Sequence, residues 1–256
     1  MNLARFARRL YAAALAAFAV LCVAHGATVS GLQEIPLTFA GHAAIAYATA
    51  LALFVLAAGL VVERTAHRAA LATAALFAIW LVAIHVPTVV AAPRSTLAWV
   101  RFFETFALAG AALVIAASAA PEVRRSAKLL AVGRLAFGLS LPAFAASHFL
   151  HAEFVANLIP AWIPFRLFFA WFTGAAHLAA GLAVIAGVHA RLAMLLAGAM
   201  YGSWALILHV PRAADFSSRA ESTSLFVAVA LCASAWALAA SYPRRAGLAF
   251  ARAAAV

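Results

Sequence analysis

The sequence predicts an all-α membrane protein that crosses the bilayer eight times. Hydrophobic residues make up 68% and charged residues 10% of its 256 residues, whereas soluble domains have about 45–50% apolar and about 25% charged residues. The mean hydropathy of +1.05 agrees with this prediction. No central stretch alternates between apolar and polar residues as a membrane β-strand does. Helices must therefore provide the backbone hydrogen bonds that lipid cannot supply. This composition excludes a soluble enzyme, a disordered protein and a disulfide-framed secreted domain.

Eight runs reach the length of about 20 apolar residues that a spanning helix needs. The predicted spans are 8–26, 39–62, 68–89, 100–119, 129–150, 165–187, 190–210 and 222–241. The first run follows a basic segment, as a signal peptide does. Because this run has a counterpart inside the chain, we interpret it as a spanning helix that is retained.

Basic residues are distributed unequally between the two sides of these spans. One side holds thirteen and the other five. The larger group comprises Arg5, Arg8, Arg9, Arg64, Arg68, Arg124, Arg125, Lys128, Arg134, Arg191, Arg244, Arg245 and Arg252. The positive-inside rule then predicts that both termini lie in the cytoplasm. The net charge of +11 therefore indicates orientation, and no basic stripe points to nucleic acid as a partner.

The two halves of the sequence resemble each other at several places in the same order. The matched pairs are LAAGL at 56–60 and 178–182, HVP at 85–87 and 209–211, Trp80 and Trp204, Arg9-Leu10 and Arg134-Leu135, His25 and His148, and Glu104 and Glu221. These matches predict two four-helix bundle repeats, residues 1–125 and 126–256. Each repeat has an even number of helices, so both insert the same way round and are parallel, related by an axis along the membrane normal.

Each predicted repeat places two histidines and one glutamate at the outer ends of its helices. The two sets are His25, His85 and Glu104, and His148, His209 and Glu221. Two imidazoles and a carboxylate can hold a divalent metal ion, and imidazoles that titrate near pH 6.5 can move protons. Interfacial histidines also cap helix ends, and the proline that follows two of them is typical of a helix stop. Metal or haem ligation, proton or quinone chemistry and a structural role all stay open at this point.

His177 lies deepest of the ionisable residues. It is about twelve residues into span 165–187, or roughly 18 Å at 1.5 Å per residue, near the bilayer centre. Buried ionisable groups in membranes are functional candidates, and Trp171 and Thr173 lie beside it as further candidates. The structural alternative is a neutral imidazole bonded to a neighbouring helix. The repeat pairs His177 with Val55, which predicts one active half and one supporting half.

The segment after the fifth span carries further candidates on the outer face. These ligand-binding candidates are His148, His151, Glu153 and Trp162. The first two are three residues apart and therefore share a helix face. Prolines break the helix within 152–164, so we predict an interfacial or re-entrant segment there. With the corresponding stretch 27–38, it is expected to roof a cavity between the repeats.

Several motifs of the second half resemble one known family. They are Gly133-Arg134, His148-Phe149, LIPAWIP at 158–164, FTGAAHLAAG at 172–181, LHVPR at 208–212 and Glu221. On these motifs the chain resembles the DoxX-like family of bacterial integral membrane proteins over about 130–241, with the first half as a diverged copy. The resemblance implies a four-helix membrane unit and a location in a bacterial cytoplasmic membrane. Some relatives are subunits of a thiosulfate:quinone oxidoreductase, and others are linked with thiol and oxidative-stress handling.

Three functions follow as hypotheses. The first is a redox-associated membrane component with His177 in its site and quinone as the ligand, with haem or a divalent metal ion as alternative cofactors. The second is a transporter or binding protein for a metal ion or small molecule with a His/Glu-rich outer mouth. The third is a membrane scaffold or assembly subunit. The sequence has no nucleotide-binding loop, C-x-x-C or nucleophile motif, so nucleotide or sulfur chemistry would need a redox partner subunit. The lipid bilayer is the other expected partner.

Overall fold

The computed structural model describes residues 2–120, 123–214 and 216–243. Within them the chain forms nine helices, when a helix with an internal π turn is counted once, and no strand. Eight of these helices are long and apolar enough to cross a membrane, which indicates a multi-pass membrane protein. Arg244, Arg245 and Arg252, on which part of the predicted charge bias rests, lie outside the described residues.

The helix bounds lie within a few residues of the predicted spans. The helices are α1 (Leu3–His25), α2 (His42–Val61), α3 (Ala66–Ala91), α4 (Thr96–Ser118), α5 (Val123–Leu150), α6 (Ala152–Leu158), α7 (Arg166–Ala186), α8 (Ala190–Arg212) and α9 (Arg219–Ser241). The first helix begins five residues before the predicted span. The Asn2 side chain accepts a hydrogen bond from the Ala4 amide at 3.1 Å and caps this helix.

One π turn interrupts α3 and another interrupts α8. They lie at Leu81–His85 and Ala205–His209, at matching places in the two sequence halves. The interpretation of Pro87 and Pro211 as helix stops is wrong, because both helices continue past their proline. Each proline occupies the first turn of the helical segment that follows the π turn, where its missing N–H is tolerated.

The main helix neighbours are the same in the two halves. In the first half α1 packs on α2, α2 on α3 and α3 on α4; in the second, α5 packs on α7, α7 on α8 and α8 on α9. Between the halves, α4 packs on α5, α1 packs on α9, and α4 meets α9. Exchanging α1 with α5, α2 with α7, α3 with α8 and α4 with α9 leaves these neighbours unchanged.

The buried faces of α2 and α7 also correspond, with a shift of 124 residues. The buried positions of α2 that recur on α7 are Ala46, Thr49, Ala50, Leu53, Ala57 and Leu60, matched by Ala170, Thr173, Gly174, His177, Gly181 and Val184. The two π turns show the same shift. The LAAGL match is therefore two residues out of the structural register, and it paired His177 with the wrong residue.

The contact between α4 and α5 depends on two glycines. A Cβ atom on Gly133 would lie 2.5 Å from the carbonyl oxygen of Gly110, and one on Gly110 would lie 2.8 Å from that of Gly133. Small residues of this kind let membrane helices approach closely. The tight seam holds α4 of the first half against the second half, where it forms one wall of the site described below.

Candidate functional site

A cavity of about 850 Å³ lies among α4, α5, α7, α8 and α9 at the helix ends away from the chain termini. Most of its wall is apolar, with Leu97, Val100, Phe144, Leu208, Val227 and Leu231 among the lining residues. Small-molecule sites typically have volumes of about 300–1,000 Å³ and apolar walls with a few polar groups. The size and lining therefore suit a small amphipathic molecule.

Aromatic and imidazole rings meet at the inner end of the cavity. The ring centroid of His177 lies 5.1 Å from that of His148, 5.4 Å from Tyr201 and 5.8 Å from Phe144. His177 is only 5% exposed and lies in the middle of α7, as its sequence position predicts. Three helices thus bring two imidazoles and one phenol into a single group.

Thr173 fixes the orientation of both histidines. Its backbone carbonyl accepts a hydrogen bond from Nδ1 of His177 at 2.7 Å. Its hydroxyl lies 2.9 Å from Nδ1 of His148, and that same nitrogen lies 3.2 Å from the carbonyl of Ala170. Thr173 is buried one turn of α7 before His177. It therefore acts as a positioning residue for the two rings.

Several buried polar atoms beside the cavity have no hydrogen-bond partner within the described part of the chain. They are the hydroxyls of Tyr201 and Thr223 and Nδ1 of His209. All three residues line the cavity. A buried polar group without a partner costs about 1–3 kcal/mol. This group of atoms is accordingly suited to a polar ligand.

Glu104 adds a carboxylate to the same cavity. It lines the wall from the third turn of α4 and, among the described residues, forms no ion pair. The sequence pairs it with Glu221, but Glu221 is the third residue of α9 and binds Arg212 through both of its oxygens. The two glutamates therefore differ in depth by about two helical turns, or roughly 9 Å, and in their partners.

Two segments cover the mouth of the cavity, as the sequence predicts. Ser30 and Gly31 line it from the loop between α1 and α2. Glu34 holds this loop in place, because it accepts a hydrogen bond from the Gly31 amide at 2.7 Å and pairs with Arg101 of α4 at 3.4 Å. On the other side, α6 contributes Phe154, Val155 and Leu158. The predicted segment 152–164 contains this short helix, which ends before the prolines.

The predicted ligand-binding residues divide into two groups. His177, Thr173, His148 and His151 line the cavity. Trp171, Glu153 and Trp162 are exposed and lie outside its lining. Trp171 stacks on Phe149 instead, with ring centroids 5.4 Å apart. Because α7 turns 100° per residue, Trp171 cannot share the inward face with Thr173 and His177.

The predicted metal or proton candidates do not converge. Among the described residues, no three His, Cys, Asp or Glu side chains lie close enough to hold a metal ion. Glu104 and His209 line the cavity, whereas His25, His85 and Glu221 do not. In the first half, Nε2 of His85 lies 2.9 Å from the carbonyl of Leu32 and 2.9 Å from the hydroxyl of Thr105. His85 is therefore a satisfied structural histidine.

The sequence interpretation missed Tyr201 and placed the counterpart of His177 wrongly. Val55 is 62% exposed, whereas Leu53, in the structural register, is completely buried. The shift of 124 residues that relates the π turns also relates Tyr201 to Phe77. The replacement of a buried phenylalanine by a tyrosine at matching positions was the available signal.

Comparison with protein-family models finds no match to this chain, and comparisons with curated proteins and with solved structures find no similar protein. The resemblance to the DoxX-like family therefore rests on the sequence motifs alone and stays a prediction.

Proposed function

We propose that this chain is a DoxX-like, redox-associated membrane protein that binds a quinone-class molecule in the cavity. The observation that carries the proposal is one cavity of about 850 Å³ with apolar walls and a polar inner end. Its volume and walls suit a substituted six-membered ring with an apolar tail, and His177, His148 and Tyr201 can form hydrogen bonds with polar groups on that ring. The mouth lies at the helix ends, from which a lipid-soluble molecule has a short path.

The proposal includes an architecture of two parallel repeats with the termini in the cytoplasm. The matching helix neighbours, the two π turns and the shared buried pattern of α2 and α7 support the repeats. The excess of basic residues on the side of the termini supports the orientation. The cavity then opens toward the outer face of a bacterial cytoplasmic membrane. Electrons would pass to or from a separate redox subunit.

Binding of decylubiquinone to the purified protein in lipid nanodiscs tests the proposal. We expect saturable binding, reported by quenching of tryptophan fluorescence, because Trp204 lines the cavity. We expect His177→Ala to weaken binding about tenfold, which corresponds to the loss of about 1.4 kcal/mol, because the ring of His177 lines the cavity and its contact with the ligand is removed. His25→Ala is the matched control, since this histidine ends α1 and does not line the cavity.

Empty nanodiscs show how much of the quenching comes from quinone dissolved in the lipid. The proposal fails if the protein adds no saturable component to that signal. It also fails if His177→Ala binds decylubiquinone as tightly as the unaltered protein does.

A further inference from the structure

We infer that the cavity selects the reduced, hydroxyl-bearing form of its ligand, a quinol, over the oxidised quinone. This inference rests on the proposed function and concerns the same site. It follows from the direction of the hydrogen bonds that hold His177 and His148, because these bonds determine what the free nitrogen of each ring can do.

The first ring to consider is His177. Its Nδ1 lies 2.7 Å from the carbonyl oxygen of Thr173. A carbonyl oxygen can only accept a hydrogen bond, so Nδ1 carries the proton. In a neutral imidazole with a protonated Nδ1, Nε2 is an acceptor. His177 therefore offers a lone pair, and no N–H, to a molecule in the cavity.

The second ring, His148, is held in the same state by α7. The hydroxyl of Thr173 donates to the carbonyl of Phe169 at 2.8 Å or to that of Ala170 at 3.0 Å. Its oxygen then accepts from Nδ1 of His148, which lies 2.9 Å away. The carbonyl of Ala170 is a second acceptor for the same N–H at 3.2 Å. Nε2 of His148 is thus left as an acceptor too.

Two neighbouring acceptors require a donor between or beside them. The rings lie 5.1 Å apart at their centroids, and two unprotonated nitrogens cannot bond to each other. A quinol has two hydroxyl groups, which can donate to these nitrogens. A quinone has no hydroxyl group, so its oxygens only accept hydrogen bonds. On binding it would displace any donor from the two nitrogens and leave them without a partner. The Tyr201 hydroxyl does not distinguish quinol from quinone, because it can donate to a carbonyl or accept from a hydroxyl.

The carboxylate and guanidinium groups of the cavity do not reverse the preference. An ionised Glu104 adds further acceptors. Arg94 and Arg101 are donors, but they lie at the mouth, in the loop before α4 and in its second turn. Arg101 is also paired with Glu34. The inner end of the cavity is therefore the part that distinguishes the two forms of the ligand.

The test compares decylubiquinol with decylubiquinone on the same nanodisc preparation, without oxygen and at pH 8, where an imidazole of ordinary pKa is neutral. We expect the quinol to bind about tenfold more tightly. A redox titration of the bound quinone should give a midpoint potential about 30 mV above that in lipid, which is the same tenfold ratio for two electrons.

Three variants locate the source of the preference. We expect His177→Phe and His148→Phe each to reduce the ratio of the two affinities, and the double variant to bring it close to one. Each variant should still bind decylubiquinone saturably, whatever its affinity, which shows that the cavity still forms. His25→Phe, the same substitution at a histidine outside the cavity, should keep the tenfold ratio.

The outcomes separate this inference from the proposed function. If neither form binds, the proposed function fails and this inference fails with it. If both forms bind equally, or the quinone binds more tightly, only the preference is overturned. A preference that survives in the double variant also overturns it. Nitrogen NMR of histidine-labelled protein gives a check without variants, because a protonated Nε2 on both rings would contradict the argument.

Discussion

The two halves of the chain have the same main helix neighbours but fill the space between their helices differently. At matching positions the first half has Leu53 and Phe77, which are completely buried, where the second has His177 and Tyr201 beside a cavity. The first half therefore forms an apolar core at these positions. The second half keeps an open space that is lined by groups able to form hydrogen bonds.

The third helices show the same contrast in their histidines. His85 is the last residue of the π turn of α3 and bonds to Leu32 and Thr105. His209 is the last residue of the π turn of α8, and its Nδ1 has no partner among the described residues. The same backbone feature thus serves a closed hydrogen-bond network in one half and an open one in the other.

The largest expected effect on stability comes from exchanging the matched residues Leu53 and His177 between the halves. Leu53→His removes a buried apolar side chain and introduces an imidazole nitrogen without a partner, so we expect a loss of about 3 kcal/mol. His177→Leu replaces a partly unsatisfied imidazole by an apolar side chain next to open space. We expect its free energy of unfolding to be unchanged or higher. Thermal unfolding in detergent measures both.

The exchange also has a readout in binding. The Leu53→His variant should keep its affinity for decylubiquinone as long as the protein is folded, because Leu53 does not line the cavity. His177→Leu should bind this quinone more weakly while it unfolds no earlier. Equal losses of stability in the two variants would show that the halves do not differ in the way described.

The two π-turn histidines provide a smaller test. His85→Phe leaves the buried carbonyl of Leu32 without its donor, and we expect a loss of about 1–3 kcal/mol. His209→Phe removes a nitrogen that has no partner, and we expect a change within about 0.5 kcal/mol. Unfolding by heat in the same detergent compares the pair. A larger loss in His209→Phe than in His85→Phe would contradict the partner assignment.

The number of spans and most helix bounds could be predicted because each depends on local composition. Apolar length identifies a spanning helix without any knowledge of its neighbours. His177 was also found from its depth in one span, which is again a local property. Trp171 and Trp162 were predicted to bind a ligand but do not line the cavity. Residue type alone does not tell which way a side chain points.

The site itself depends on register, which sequence similarity determined incorrectly. In an Ala- and Leu-rich chain a short match such as LAAGL occurs at more than one alignment, so it paired His177 with exposed Val55. The buried pattern of the whole helix gives Leu53 instead. Glu104 and Glu221 were paired in the same way, although they lie at different depths. Side chains from five helices meet at this site, and only the packing of the helices shows which ones do.

The smallest contrast between the halves lies at the helix ends near the chain termini. It concerns the kind of contact that joins the helix ends in each half. In the first half, Glu63 pairs with Arg8 at 2.6 Å and with Arg5 at 3.1 Å, which ties the end of α2 to the start of α1. In the second half, Arg191 donates to the carbonyl of Ala239 at 2.7 Å. An ion pair needs an ionised carboxylate, whereas a carbonyl accepts at any pH. Only the first closure should respond to acid.

The hydrogen bond from Arg8, aided by the charges of Arg5 and Arg9, holds the pKa of Glu63 below its ordinary value of 4.5. A lowered pKa in the folded state means that the stabilisation is present above pH 4.5 and is lost as the pH falls through the folded-state pKa. We expect Glu63→Gln to lower the Tm slightly at pH 7 and this difference to shrink as the pH falls below 4.5. Arg191→Gln should lower the Tm equally over the same pH range. A Tm difference for Glu63→Gln that does not shrink on acidification would mean that Glu63 stabilises this end of the helices through packing, and that the two halves close by the same kind of contact.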